Sequence, residues 1–220
     1  MQLELGSNKT VEISPWVGKT KRDFMRLFKD KKDKISEQDI INILVKPFIN
    51  PSDIYYSGEE IQYILITLRS ISISDNIVDT KKCQKCDVDI NIDIPVNDMC
   101  EYFPSKYPII DDNIKWKDIK SINAIKDVSK KYPEEPISLI ELLLHIEEYK
   151  KEPISSFQQI LDIADNMSLK ESDETTDNFN RNRSFVGMHY KVTCDCGEEN
   201  EFIYEDIPSF FDPLLPKEVK

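Results

Sequence analysis

Apolar and polar residues alternate on both sides of a turn at Gly6-Ser7-Asn8, and this pattern predicts a β-hairpin over the first 13 residues. Apolar residues then recur three and four positions apart, which predicts three helices. Pro47 should end the second helix, and the pair Ser57 and Glu60 has the spacing of a capping box at the start of the third. The apolar stripes of the three helices are Phe24, Leu27 and Phe28; Ile40, Ile43 and Leu44; and Ile61, Ile64, Leu65 and Leu68.

The clearest strand lies between Val88 and Ile94, where apolar and acidic or amide residues alternate strictly until Pro95. Beyond it, residues 97–186 are mainly helical in pattern. Helices are expected at about 119–132, 137–149, 154–167 and 168–183. The segment Ile137–Tyr149 is apolar nearly all round, which is typical of a helix at the centre of a core or of one covered by a partner.

Four of the five cysteines lie in two short motifs with the same order of elements. Cys83 and Cys86 form C-x-x-C between two β-prone runs, and Cys194 and Cys196 form C-x-C, where Gly197 can relieve the tighter turn. Each motif is predicted to be a knuckle at the tip of a hairpin. Two facing knuckles would supply four thiolates, as a closed tetrahedral zinc site requires. The sequence therefore predicts one structural zinc ion per chain.

Other interpretations of the cysteines are a redox C-x-x-C, buried inert thiols and a disulfide pair. A thioredoxin-like motif would need a βαβ context, which the pattern lacks. Disulfides are disfavoured by the odd number of cysteines and by the lack of a signal peptide at the start of the sequence. His189 would be a substitute ligand if the C-x-C pair cannot close, but a surface or core role is favoured for it. Cys100 is expected to be a small buried hydrophobe.

These elements predict an α+β fold in which a zinc-ribbon-like pair of β-hairpins carries a mainly helical insertion and is preceded by an N-terminal β-hairpin and helices. Four units are expected along the chain. They are an N-terminal unit over 1–76, the two ribbon halves over 77–96 and 187–206, the insertion over 97–186, and an apolar, proline-rich tail over 207–220.

Composition limits the classes of partner. The 220 residues carry a formal net charge of -12, so phosphate backbones and anionic membrane surfaces repel the chain, and neither nucleic acid nor lipid is expected as a partner. No run of 18 apolar residues is present, so no membrane span is predicted.

The residues that catalysis would need are also lacking. The two histidines, His145 and His189, have no nucleophile or carboxylate at a useful spacing in the sequence. The sequence contains no P-loop, G-x-S-x-G or dinucleotide fingerprint, and its cysteines lack the H-x-E motif of zinc deaminases. A closed four-cysteine site has no open position for a substrate. We therefore expect a scaffold and no enzyme.

Two apolar segments are candidates for contacts with other proteins. One is the helix expected over Ile137–Tyr149, and the other is the tail from Ile207 to Pro216, which covers the domain's own core or hooks onto a neighbouring chain. The candidate contact residues are Leu142, Leu143 and Ile146 in the helix and Phe210, Phe211, Leu214 and Leu215 in the tail.

The order and spacing of several motifs resemble the baseplate hub proteins of T-even-type contractile-tailed bacteriophages. The resemblance covers residues 36–215 and rests on Leu68-Arg69-Ser70, Cys83-Gln84-Lys85-Cys86, Cys194-Asp195-Cys196-Gly197 and Phe210-Phe211. It implies a non-enzymatic role in assembly of the baseplate hub, with other phage hub and tail proteins as partners. The implied locations are the host cytoplasm during assembly and the tail baseplate of the virion.

A zinc-ribbon adaptor in transcription or nucleic-acid handling is the alternative function. Lys81, Lys82 and Lys85 beside the first knuckle favour it. The acidic residues beside the second knuckle, such as Asp195 and Glu198, and the negative charge of the whole chain oppose it.

Overall fold

The computed structural model describes residues 1–6, 9–31, 35–105, 107–110 and 113–203. The predicted apolar tail lies outside the described residues, and so do its four candidate contact residues, Phe210, Phe211, Leu214 and Leu215. The fold is mixed α+β with several small sheets, as the alternating and helical patterns predict.

The N-terminal strands β1 (Gln2–Glu4) and β2 (Thr10–Ile13) form the predicted antiparallel hairpin, and β3 (Ile49–Asn50) adds a third strand to this sheet. Between β2 and β3 lie the helices α1 (Gly18–Lys31) and α2 (Glu37–Ile40). After α2 the backbone continues as a π-helical turn over Ile41–Val45 and then as a 3-10 turn over Lys46–Phe48. Pro47 therefore lies where the regular helix has ended, because proline lacks the N–H that a helix interior needs.

Helix α3 (Gly58–Ser72) begins at the predicted capping box. The Ser57 hydroxyl accepts from the backbone N–H of Glu60 at 3.2 Å, and the Glu60 carboxylate accepts from the backbone N–H of Ser57 at 2.9 Å. These bonds satisfy two of the backbone donors that a helix start leaves without partners. The apolar face of α3 is buried in the main core, which also takes in Val11 and Ile92.

The first cysteine hairpin consists of β4 (Asn76–Lys82) and β5 (Asp89–Pro95), paired antiparallel along their whole length. Ile90 and Ile92 are buried and their neighbours exposed, as the strict alternation predicts. The chain then forms the short helix α4 (Val96–Met99) and strand β6 (Cys100–Phe103).

The middle of the chain folds around a second core that contains Trp116, Ile160 and Phe179. A four-stranded sheet in the order β10-β9-β8-β7 packs with four helices. The elements are β7 (Ile109–Ile110), β8 (Ile114–Trp116), α5 (Ile122–Lys131), α6 (Ile137–Leu144), β9 (Ile146–Tyr149), β10 (Glu152–Pro153), α7 (Phe157–Asp165) and α8 (Leu169–Asn182).

The helix predicted over Ile137–Tyr149 is wrong in its second half, because α6 ends at Leu144 and the next residues form β9, which pairs with β8. Leu143 and Ile146 are only 2% and 1% exposed and belong to the second core. Leu142 is partly buried against the same core. The expectation that Leu143 and Ile146 form an exposed docking surface is therefore wrong, since the chain's own strands and helices cover them.

The second cysteine hairpin consists of β11 (Phe185–Thr193) and β12 (Glu199–Ile203). Residues 189–193 of β11 pair with β12, and residues 185–188 pair with β6 on the other edge. Because Met188 and Tyr190 are buried in the main core, this strand ties the second hairpin to the N-terminal part of the fold. No helix in the described part of the chain is long and apolar enough to cross a membrane.

Candidate metal centre

The tips of the two cysteine hairpins bring four sulfur atoms together. The Sγ atoms of Cys83 and Cys196 are 3.8 Å apart, those of Cys86 and Cys194 are 3.6 Å apart, and all four lie within 4.8 Å of one another. A tetrahedral ion with metal–sulfur bonds of about 2.3 Å requires sulfur–sulfur edges of about 3.8 Å. The four predicted residues are thus assembled in an arrangement that can hold a metal ion.

Backbone hydrogen bonds shape the first knuckle. The N–H of Cys83 donates to the carbonyl of Val88 at 2.9 Å, and the N–H of Asp87 donates to the carbonyl of Cys83 at 3.0 Å. Asp87 has a φ of 57°, in the left-handed region that aspartate tolerates better than most residues. This turn lets the chain fold back directly after Cys86 while its sulfur stays at the tip.

The second knuckle closes in the same way with one residue fewer. The N–H of Cys194 donates to the carbonyl of Glu198 at 2.8 Å, and the N–H of Gly197 donates to the carbonyl of Cys194, also at 2.8 Å. Gly197 has a φ of 83°, which costs glycine little because it has no Cβ. The C-x-C spacing therefore still directs both sulfurs toward the first knuckle.

The thiols do not ionise alike. Backbone N–H groups of Cys86 and Lys85 direct their positive ends at the Cys83 sulfur and lower its pKa to about 6. At Cys194 the N–H of Cys196 acts in the same direction, but burial and the neighbouring sulfurs outweigh it and raise the pKa to about 12. Four thiolates this close repel one another, so the full donor set forms only with a cation among the sulfurs.

Lysines beside the knuckles are paired with carboxylates. The Lys85–Glu198 pair connects the first knuckle to the second and raises the pKa of Lys85. Most of these side chains are largely exposed, so each pair contributes little to stability. They nevertheless offset the positive charge that suggested phosphate binding. The distances are 3.1 Å for Lys81–Asp79, 3.4 Å for Lys82–Asp89 and 3.2 Å for Lys85–Glu198.

The remaining candidates lie elsewhere in the fold. The substitute ligand His189 is outside the sulfur cluster, and its Nε2 lies 3.5 Å from Glu101. Cys100 is partly buried against the main core, and burial raises the pKa of its thiol to about 11. Cys100 was expected to be a small buried hydrophobe, and in the structure it is only partly buried.

One residue of the centre was not foreseen. Asn200 on β12 is completely buried, and its carboxamide contacts the first knuckle at Gln84 and Cys83. An asparagine in a polar stretch after a cysteine knuckle carries no recognisable pattern, so the sequence held no signal for it.

A buried polar network joins the main core to the middle of the chain. The ammonium of Lys9 lies 3.0 Å from the Glu60 carboxylate and 3.1 Å from that of Asp118. Burial raises the pKa of both carboxyl groups, and the nearby ammonium opposes that rise. These groups line a cavity of about 10 Å³, room for about one water, and the network connects segments that are far apart in the sequence.

His145 belongs to the same region. Its Nδ1 is 2.7 Å from the carbonyl of Lys117, and its ring packs against Tyr107 and Phe179. Burial lowers the pKa of this histidine to about 4, so the imidazole is neutral near pH 7 and donates its Nδ1 hydrogen to the carbonyl. The ring therefore acts as a packed core residue.

The fold and the centre together define a class of protein, an α+β scaffold whose distant hairpins meet at a four-cysteine site suited to a metal ion. Comparison with protein families then identifies the family of this chain. Residues 1–212 match the family described as T4 bacteriophage base plate protein, and the chain belongs to this family. It is a structural protein of the phage tail base plate, which confirms the resemblance at that level. Searches of curated proteins and of solved structures found no match.

Proposed function

We propose that this chain is a non-enzymatic structural and assembly subunit of the base plate hub, in which one zinc ion joins the two cysteine hairpins. The observation that carries the proposal is the convergence of four sulfurs from distant parts of a base plate family chain. A closed set of four thiolates is typical of structural zinc, which stabilises a fold and leaves no open coordination position.

Zinc is favoured over other metals by the ligands. Four thiolates in tetrahedral geometry suit zinc, and iron is the main competitor for such a set. Cys83 and Cys194 are buried against Ile90, Val192 and Phe202, whereas Cys86 and Cys196 are exposed. The ion would therefore lie at the edge of the fold and hold the hairpin tips as a zinc ribbon does.

The proposed partners are other hub and tail proteins of the same phage. The apolar tail residues Phe210, Phe211, Leu214 and Leu215 remain the proposed contacts, together with the helix that carries Leu142. Ile137 at the start of that helix is 65% exposed and adds apolar surface there. Assembly would take place in the host cytoplasm, and the protein would then remain in the tail.

Co-expression with the other base plate proteins of the phage tests the docking proposal. The wild-type chain should co-purify with a hub protein, and the double variant Phe210→Ser/Phe211→Ser should lose it. Leu169→Ser is the matched control, because Leu169 is an exposed apolar residue of α8. A wild-type chain that purifies alone as a monodisperse monomer would contradict the proposal.

The alternative of a nucleic-acid adaptor has less support. The lysines that suggested it are paired with carboxylates, and the chain is strongly acidic. Retention of duplex DNA at low salt, lost steeply as salt is raised, would favour this alternative over the hub.

A further inference from the structure

Asn200 places a carboxamide between the two knuckles. It lies on β12 opposite Val192 and is 0% exposed. Its Oδ1 accepts the backbone N–H of Gln84 at 2.8 Å, and its Nδ2 donates to the carbonyl of Glu198 at 3.1 Å and to the sulfur of Cys83 at 3.6 Å. The carboxamide oxygen thus accepts one hydrogen bond, and the two hydrogens on Nδ2 each donate one.

The orientation of this amide is fixed by its neighbours. The backbone N–H of Gln84 can only donate, so the atom facing it is the oxygen. The carbonyl of Glu198 can only accept, so the atom facing it is the nitrogen. The second hydrogen of Nδ2 is then directed at the sulfur of Cys83. Aspartate has the same shape but no hydrogen to donate at neutral pH, so the arrangement requires asparagine.

We propose that Asn200 is a positioning residue of the metal centre, which holds the first knuckle against the second hairpin and stabilises Cys83 as a metal ligand. This inference rests on the zinc site proposed above. The hydrogen bond from Asn200 to Cys83 joins residues that are 117 positions apart, and it involves only protein atoms. The contact therefore links the two knuckles through protein atoms alone.

The sulfur of Cys83 receives hydrogen bonds from two directions. The backbone N–H of Lys85 donates from within the first knuckle at 3.5 Å, and Asn200 donates from the second hairpin. Such bonds fix the position of the sulfur and would reduce the negative charge that a bound metal shares. Partners of metal ligands are worth about 10–100-fold in metal affinity, which sets the size of the expected effect.

The test compares full-length wild type with Asn200→Asp in a competition for zinc against a chromophoric chelator. Asn200→Asp should bind zinc about 10–100-fold more weakly. Asn91→Asp is the matched control, because it makes the same change of charge at an exposed position of the first hairpin and should bind zinc as the wild type does. Equal affinity in wild type and Asn200→Asp would overturn the proposal.

Cobalt gives a readout that a loss of fold stability alone would not change. In the cobalt-loaded chain, removal of the hydrogen bond raises the energy of the sulfur lone pairs, so the sulfur-to-cobalt charge-transfer band of Asn200→Asp should shift to longer wavelength. Asn91→Asp should show no shift. An unshifted band in Asn200→Asp would count against the bond to Cys83.

If Asn200→Asp does not fold, the hydrogen bond between Asn200 and Cys83 can still be tested in the wild-type chain. Loaded with ¹¹³Cd, it should show a scalar coupling between the metal and an Nδ2 hydrogen of Asn200, passed through the sulfur of Cys83. A spectrum with couplings to the cysteine hydrogens but none to Asn200 would refute this inference alone. A wild-type chain that binds none of these metals would refute the zinc proposal together with it.

Discussion

Replacing Lys9 by methionine should destabilise the fold by about 3–5 kcal/mol at pH 7. The Lys9 side chain is 10% exposed and lies between the carboxylates of Glu60 and Asp118. Glu60 is 1% exposed, so its charge has little access to water once the ammonium is gone. Methionine keeps most of the length of the apolar stem of lysine. The loss of stability therefore measures the cost of leaving the two carboxylates without their cation. The bond from the Ser57 N–H still supports Glu60, which favours the lower end of that range.

Urea unfolding, followed by circular dichroism, measures this loss as a lower midpoint. The double variant Lys9→Met/Glu60→Gln should recover part of the stability, because glutamine carries no charge and its oxygen can still accept from Ser57. Lys170→Met is the control. Lys170 is exposed and pairs with Glu174 on the surface of α8, so its loss should cost less than about 1 kcal/mol.

The effect of Lys9→Met should depend on pH. Burial raises the pKa of Glu60 and Lys9 opposes that rise, so the variant's folded-state pKa lies higher still. A carboxyl whose pKa is higher in the folded than in the unfolded chain opposes folding when it is ionised. The penalty therefore shrinks as pH falls through the folded-state pKa. A loss under about 1 kcal/mol at pH 7, or one independent of pH, would refute this account of the network.

Two further predictions concern buried side chains. Burial lowers the pKa of His145 from its ordinary 6.5 to about 4, so the unfolded chain takes up a proton first and stability is lost as pH falls through this window. Urea unfolding at a series of pH values should show that His145→Gln loses less stability than the wild type as pH falls. An equal loss in both proteins would contradict the lowered pKa of His145. Leu143→Ala should cost about 2–5 kcal/mol by the same method, whereas the exposed Ile137→Ala should cost about 0.5 kcal/mol or less. Similar small losses would place Leu143 at the surface.

Local signals in the sequence predicted much of the fold. The capping box at Ser57, the alternation in β5 and the N-terminal hairpin each depend on interactions between near neighbours, and all three are confirmed. The helix expected over Ile137–Tyr149 failed in its second half, because pairing with β8 decides the conformation of β9. Tertiary pairing of this kind overrides local propensity and has no local signature. The division of the chain into four units stays a prediction.

In the candidate site too, residues with a local sequence pattern were predicted, and residues placed by contacts between distant segments were not. Cysteine spacing with β-prone flanks predicted Cys83, Cys86, Cys194 and Cys196, because metal ligands in knuckles follow a local turn geometry. Asn200 acts through a contact between distant segments and was missed. The network around Lys9 was missed for the same reason, since its members come from three separated parts of the chain.

The zinc content of the purified chain tests the central claim most directly. Wild type should contain one zinc per chain by elemental analysis, and both Cys83→Ser and Cys194→Ser should lose the metal together with thermal stability, because each removes a ligand from a different hairpin. That result would show that the two distant knuckles share one structural ion. A wild type without zinc, whose melting temperature is unchanged in both variants, would contradict the account of a metal-stabilised base plate subunit.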